Sequence, residues 1–288
     1  MTTLHEHVAQ LLRQQLDAPG APPEKLNGAL RLLAKYRATL IQNTLVQQCG
    51  SIVQGGPFQG MRFVEQSAEG CHVPKLLGCY ESELHPYILA AAGRAYQAVI
   101  NIGAAEGYYA VGLARLMPDV RIFAYDTNTA SHPVCRSLAE RNGVADRVVV
   151  GGLFDGEEFG RFAGQRTLVV CDIEGGETEL LDPTRYPALR AMDLIVELHD
   201  SPQAIPSLLV PDRFGATHAV TMVRHRGQAI ELPAMFEALG HLDQLLAVWE
   251  WRSEPTPWAL RAAQRGEMGP GSRYGPRPQV GNNLVCAE

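Results

Sequence analysis

The chain has 288 residues, 46% of them hydrophobic and 19% charged, with a net charge of −6 and a pI near 5.9. That length holds one large α/β domain with an appendage, or two small domains. The acidic balance excludes the basic footprint of a nucleic-acid binder, and no apolar run reaches the length of a membrane span. Six cysteines with no C-x-x-C pair read as reduced thiols of a cytoplasmic protein, not as a disulfide framework. The polar start MTTLHEHVAQLL does not match a signal peptide.

His5 to Leu16 has the spacing of a short amphipathic helix, and the Pro- and Gly-rich stretch 17–23 breaks it. Pro23 suits the first turn of a second helix, in which Leu26, Leu30, Leu33, Tyr36, Leu40 and Leu45 keep helical spacing to about Gln48. Residues 1–50 thus form an N-terminal helical extension. It holds no catalytic constellation and offers a face for packing, for capping a site or for a homodimer. Ser51–Val53 and Arg62–Val64 flank a glycine-rich turn and predict a hairpin. Together with P-K-L-L-G-C-Y-E-S-E-L over 74–84 and a helix from His85 to Ala95, they make a lead-in segment over 51–95. Tyr80 and Glu81 stand just ahead of that helix, placed either to cap it or to meet a ligand.

The rest of the chain is organised around Ala98 to Asp126. The run A-V-I-N-I reads as a buried parallel strand. The turn G-A-A-E-G follows, then a helix from Tyr108 to Met117, then a second strand from Val120 to Ala124 with Asp126 just past it. Small residues at the first turn and an acid at the tip of the second strand suit a nucleoside, because the bare backbone approaches it and the carboxylate accepts from ribose hydroxyls. The spacing is not the G-x-G-x-x-G of dinucleotide binders. It resembles the first motif of class I S-adenosylmethionine (SAM) methyltransferases, with Asn101 where an acid is usual. An amide there hydrogen-bonds but cannot neutralise the ligand's ammonium.

A third strand, Val148–Val150, delivers Gly151 to Asp155. The fourth, Thr167–Cys171, delivers D-I-E-G-G-E over 172–177. The fifth is D-L-I-V-E-L-H-D over 193–200. Glu197 and His199 share one face of that strand, while Leu194, Val196 and Leu198 take the other. A carboxylate and an imidazole there are costly to bury unpaired. Three readings fit Asp172, Glu174, Glu197, His199 and Asp200. In the first, His199 is a general base oriented by Asp172 or Glu197. In the second, Asp172, Glu197 and His199 hold a divalent metal. In the third, the acids and the imidazole tie the fourth strand to the fifth.

D-I-E-G-G-E-x-x-L-L-D followed by L-I-V-E-L-H-D resembles the FkbM-type branch of class I SAM methyltransferases, over about Pro57 to Asp200. The resemblance implies an α/β fold: a doubly wound, Rossmann-like sheet of seven strands with the last antiparallel, SAM as methyl donor, and most often an oxygen atom of a small-molecule acceptor. It places the amino-acid end of SAM over Asn101, Gly103 and Ala104, beside Glu106, Gly107 and Tyr108. Tyr80 and Glu81 fold over that end, and Asp172 faces it from the fourth strand. Asp126 and Thr127 meet the ribose, and Leu153 and Phe154 wall the adenine, with Asp155 near its amino group. The SAM-binding core is expected over 96–253, and 254–288 as a C-terminal tail.

In the last third, Thr217 to Arg224 alternates as a strand, His225-Arg226-Gly227 is a turn, and Glu231 to Leu239 reads as a helix. Gln244 to Trp251 is expected to be the last strand, paired with 217–224. Trp249, Trp251 and Trp258 suit either an acceptor pocket or packing.

Overall fold

The computed structural model describes residues 3–65, 71–225, 232–252 and 256–263. The extension holds helices α1 (Leu4–Asp17) and α2 (Pro22–Cys49), and the lead-in holds α3 (Val73–Leu77) and α4 (His85–Ala92). Strand and helix then alternate: β1 (Ala98–Ile102), α5 (Tyr108–Leu116), β2 (Arg121–Tyr125), α6 (Ser131–Arg141), β3 (Val148–Gly151) and β4 (Thr167–Cys171). The last part holds α7 (Glu177–Leu180), β5 (Asp193–Glu197), α8 (Pro206–Phe214), β6 (His218–Val223), α9 (His241–Ala247) and β7 (Trp258–Ala263).

The seven strands lie in the order β3-β2-β1-β4-β5-β7-β6. Neighbours from β3 to β5 pair in parallel, and β7 runs antiparallel to both β5 and β6. This is the expected doubly wound, Rossmann-like sheet of seven strands, with its antiparallel last strand. All five residues of β1, β4 and β5 are buried, as strands covered on both faces must be, and the two carboxylates that end β5, Asp193 and Glu197, are buried against Arg94 and Arg252. Alternation splits the core in two. Val99 faces Val111, Leu113 and Ala114 of α5, while Ala98, Ile100 and Ile102 face Phe159, Leu189 and Phe214. Each fully buried Leu, Ile or Phe contributes about 1.5–3 kcal/mol. The chain reverses direction across the sheet between β1 and β4, so the loops leaving those two strands part and open a crevice.

Three expectations are corrected. Gln244 to Trp251 is not the last strand, because most of it is α9 and the turn that follows. The last strand is Trp258–Ala263, inside the stretch expected to be tail, and it is the partner of β6. Leu245-Leu246-Ala247 is unbranched at Cβ and favours helix. W-A-L-R-A-A has little strand propensity of its own, and pairing on both sides imposes the strand. The hairpin over 51–64 is reduced to one bridge, between Ile52 and Arg62. Of the helix expected over 231–239, the described part is a 3₁₀ turn at Ala234–Ala238. Arg226, Gly227 and the stretch 264–288 lie outside the described residues.

The extension packs away from the crevice. α2 buries Ala29, Ala38, Ile41 and Leu45. Its Arg37 donates two 2.6 Å hydrogen bonds to the Asp243 carboxylate on α9. Arg31 donates to the Trp251 carbonyl at 2.9 Å, and the Lys35 ammonium stands 4.8 Å over the Trp251 ring. Trp249 and Trp251 therefore serve this packing. No described helix is long and apolar enough to cross a membrane.

Beneath the lead-in, His72 is 3% exposed and stacks on Phe63 with ring centroids 5.3 Å apart. Burial, and then the charge of Lys75, push its imidazole down to about 4. The unfolded chain takes up this proton near 6.5, and the folded chain only near 4. The unfolded state therefore binds more protons in that window, so stability falls as pH falls through it. We expect this residue alone to remove about 3 kcal/mol between those two pH values. Urea unfolding at both should show the decline, and His72→Leu should flatten it.

Candidate functional site

The turn after β1 is shaped by packing. Gly103 (φ +80°) and Gly107 (φ +95°) are both left-handed. A Cβ on Gly103 would stand 1.6 Å from the Asp172 carbonyl oxygen, and one on Gly107 2.7 Å from the Cys135 sulfur. The N–H groups of Gly103 and Ala104 donate to the Tyr125 carbonyl at 2.9 and 3.0 Å. Ala105 N–H donates to Asp126 Oδ2, and Asn128 N–H to Oδ1, each at 2.7 Å. Two backbone donors thus fix the Asp126 carboxylate at the tip of β2. About two of its four acceptor positions are left for a ligand.

Asp126 lies on a cleft of about 470 Å³ at the C-terminal ends of β1 to β4. This is within the roughly 300–1,000 Å³ of small-molecule sites. Tyr80, Gly103, Thr127 and Asp172 line it, with Leu153 and Phe154 at the β3 end. Phe154 is held edge-on to Tyr125 at 4.8 Å, whereas Leu153 is largely exposed. Asp155 does not line the cleft, because its side chain accepts from Glu157 N–H and starts the following turn. Behind the glycine turn lies a smaller chamber of about 50 Å³, which Asn101, Ala104, Glu106 and Tyr108 help to line.

At the ends of β4 and β5, His199 is surrounded by carboxylates. Its Nδ1 is 2.7 Å from Glu177 Oε1. Its Nε2 is 3.6 Å from Glu174, 3.7 Å from Asp172 and 4.0 Å from Glu197. Burial pushes the imidazole down, but the Glu177 hydrogen bond and the charges of Glu197 and Asp172 outweigh it and hold the ring up at about 9. Burial, with Glu197 beside it, lifts Asp172 to about 8. His199 is therefore not the near-neutral imidazole that its residue type alone implies. One ligand atom each from Asp172, Glu174 and His199 lie within 4.8 Å of one another, close enough for one cation. Glu174 takes the place given to Glu197 in the sequence-based set.

Glu197 and Glu81 belong to a separate buried network. Arg252 bonds Glu197, donates to Glu81 at 2.5 Å and to Glu250 at 2.9 Å, and also meets Thr256. Tyr109 and Glu81 share a further hydrogen bond, and Glu81 does not line the cleft. Burial, with the Glu197 charge, pushes the Glu81 carboxyl well above the usual range. Among the described residues, three of the four non-glycine residues with positive φ are Glu81, Ala105 and Glu174. Each such residue costs about 1–3 kcal/mol, and strain of this kind collects at functional sites.

Several site residues carried no signal that sequence reasoning used. Lys75 is 6% exposed, pairs with Glu106 at 2.6 Å and borders both the cleft and the inner chamber. Its only sequence trace is a lysine inside the apolar lead-in. Glu177 was legible as part of D-I-E-G-G-E but not as the partner of His199. Trp258, which the sequence leaves open between an acceptor pocket and packing, is buried and lines the inner chamber.

No family model matches the sequence, and no curated protein does. Solved structures do. The O-methyltransferase TomG from Streptomyces achromogenes, in complex with SAM, is 15% identical, with 64% of this chain and 81% of that chain covered and a TM-score of 0.43. An O-methyltransferase from Bacillus cereus in complex with SAH is 13% identical, with coverage of 61% and 79% and a TM-score of 0.41. Precorrin-6y C5,15-methyltransferase from Geobacter metallireducens is 15% identical, with coverage of 62% and 86% and a TM-score of 0.41.

Proposed function

We propose that the chain is a SAM-dependent methyltransferase acting on an oxygen atom of a small-molecule acceptor. The observation that carries this reading is the cleft at the point where strand order reverses, with Asp126 fixed at the tip of β2. Its residues fit SAM. The open acceptor positions of Asp126 suit ribose hydroxyls, Phe154 and Leu153 offer an apolar wall for adenine, and the inner chamber lies where the amino-acid end would reach. The D-I-E-G-G-E and E-L-H motifs support the FkbM-type branch. SAM supplies a methyl group already activated as a sulfonium. The protein's share is to align the acceptor, exclude water and take up one proton.

Asp172, Glu174 and His199 fit a divalent cation. Glu177 holds His199 by Nδ1 and leaves Nε2 toward the two carboxylates, the arrangement in which an outer carboxylate orients a ligating imidazole. Such a cation supplies Lewis acidity toward an acceptor hydroxyl. A second reading has His199 itself accept the proton; the Glu177 contact orients the ring for it, but a ring held up at about 9 is already protonated near neutral pH and can act as a base only above it.

Calorimetric titration with SAM, once after chelation and once with added magnesium or manganese, tests both levels. SAM should bind in either condition, and Asp126→Ala should weaken it about tenfold or more. A separate heat of cation binding that His199→Ala abolishes supports the metal reading. Absence of SAM binding throughout overturns the proposal.

A further inference from the structure

Helix α2 is apolar on two faces, and the fold uses one of them. Ala38, Ile41 and Leu45 turn that face into the core. The other is a stripe of Leu26, Leu30, Leu33, Arg37, Leu40 and Thr44, spaced four, three, four, three and four residues apart. This alternation keeps one seam facing a partner helix along its whole length. The first half of the stripe stands in solvent: Leu26 is 62% exposed, Leu30 67% and Leu33 42%. Apolar helix faces are ordinarily covered, and an exposed one marks an interaction surface. Of the sixteen large hydrophobic side chains exposed among the described residues, eight lie on α1, α2 and α9, so exposed apolar surface collects on this helical layer.

The second half of the stripe is concave. Arg37, Leu40 and Thr44 border a pocket of about 120 Å³ walled by Met235, Phe236 and Leu239. Its volume approaches that of the roughly 150 Å³ cavity that accepts a benzene ring, and it suits a leucine side chain. Arg37 brings no unpaired charge to the rim, because the Asp243 carboxylate accepts two hydrogen bonds from it at 2.6 Å. Its side chain is still 47% exposed, so the methylene stem is available for apolar packing.

The spacing reads the same from either end, so the stripe is its own complement. Two copies of α2 that cross antiparallel about a two-fold axis at position 35 set Leu26 of one opposite Thr44 of the other, Leu30 opposite Leu40, and Leu33 opposite Arg37. The exposed leucines of each copy then enter the pocket of the other, as knobs enter holes. Every contact occurs twice, as an isologous interface requires. A parallel pair would set leucine against leucine and leave both pockets unfilled. The seam is about 27 Å long at 1.5 Å per residue. A stable dimer needs about 800 Å² from each partner. Leu242 and Leu245 of α9, 67% and 54% exposed and close in sequence to Asp243, widen the surface beyond the seam. We propose that the chain is a two-fold homodimer joined through antiparallel α2 helices. The sequence leaves the extension open between packing, capping and association, and its exposed half is the association surface. The inference does not depend on the methyltransferase reading.

The test is sedimentation equilibrium of the full chain. At about 50 μM the wild-type protein should have twice the 31.4 kDa mass of the chain. Leu30→Glu should raise the dimer dissociation constant about a hundredfold or more. Leu26→Glu should weaken the dimer as well. Adding Thr44→Lys to it should recover about tenfold, because those two positions meet only across the antiparallel seam. The three side chains are exposed in the single chain, so the variants should fold, which circular dichroism verifies. Leu208→Glu, at a 66% exposed leucine on α8, is the control and should leave the dimer intact. A wild-type chain that stays monomeric overturns the inference and gives the stripe to another occupant. A dimer that survives Leu30→Glu, or that Leu208→Glu breaks equally, overturns the surface. A Leu26→Glu loss that Thr44→Lys does not recover overturns the antiparallel register.

Discussion

Replacing Arg252 with methionine is expected to lower folding stability by about 3–5 kcal/mol, the cost of breaking a buried ion pair from one side. Its guanidinium is the shared partner of Glu81, Glu197 and Glu250, whose side chains are only 0%, 2% and 5% exposed. Those three carboxylates come from the lead-in, the end of β5 and the segment after α9. Without the cation they face one another in a medium that screens poorly. The excess of acid predicts an asymmetry. Glu81→Gln removes a negative charge from a site that already disfavours it, so it should cost far less than Arg252→Met. The double variant should recover part of the loss, a coupling that a double-mutant cycle measures. Urea unfolding reads all three. A loss under about 1 kcal/mol for Arg252→Met would mean that the network is solvated and contributes as a surface pair does.

The second large effect is on catalysis. On the proposed function, His199→Ala should reduce methyl transfer about a hundredfold or more, whether the imidazole takes the proton or holds a cation. Glu177→Gln separates the two. Glu177 is fully buried, accepts from Gly175 N–H at 3.1 Å and contacts His199 Nδ1. As an outer partner of a cation ligand, its loss should weaken cation affinity about 10–100-fold. Excess cation should then restore the rate, with SAM affinity unmoved. If His199 is a base without a cation, added metal restores nothing in either variant.

Much of the fold was legible because its signals are local. The apolar runs at 98–100, 167–171 and 194–196 lack the alternation of a half-exposed strand, and the glycine turn with Asp126 beyond β2 marks one β-α-β unit. What was not legible depends on partners far away in the chain. W-A-L-R-A-A becomes β7 only because β5 and β6 offer hydrogen-bonding edges on either side. Glu197 reads as a candidate metal ligand until Arg252, 55 residues later, claims it. Lys75 and Glu106 are 31 residues apart, and neither spacing nor periodicity joins them. The glycines of the turn were read as room for a ligand. At Gly103 and Gly107 the steric demand comes first from Asp172 and Cys135.

The position of β7 between β5 and β6 also bears on how the chain is made. Val196 pairs with Ala259, and Val223 with Trp258, so both registers wait for residues near 260 to leave the ribosome. Until then β5, buried along its whole length in the finished sheet, has one bare hydrogen-bonding edge. Unpaired apolar edges of this kind recruit other strands, and contacts this remote in sequence form late. A nascent chain stalled before β7 would therefore be sticky at β5. Holdase chaperones should engage it there and release it once the last strand is inserted.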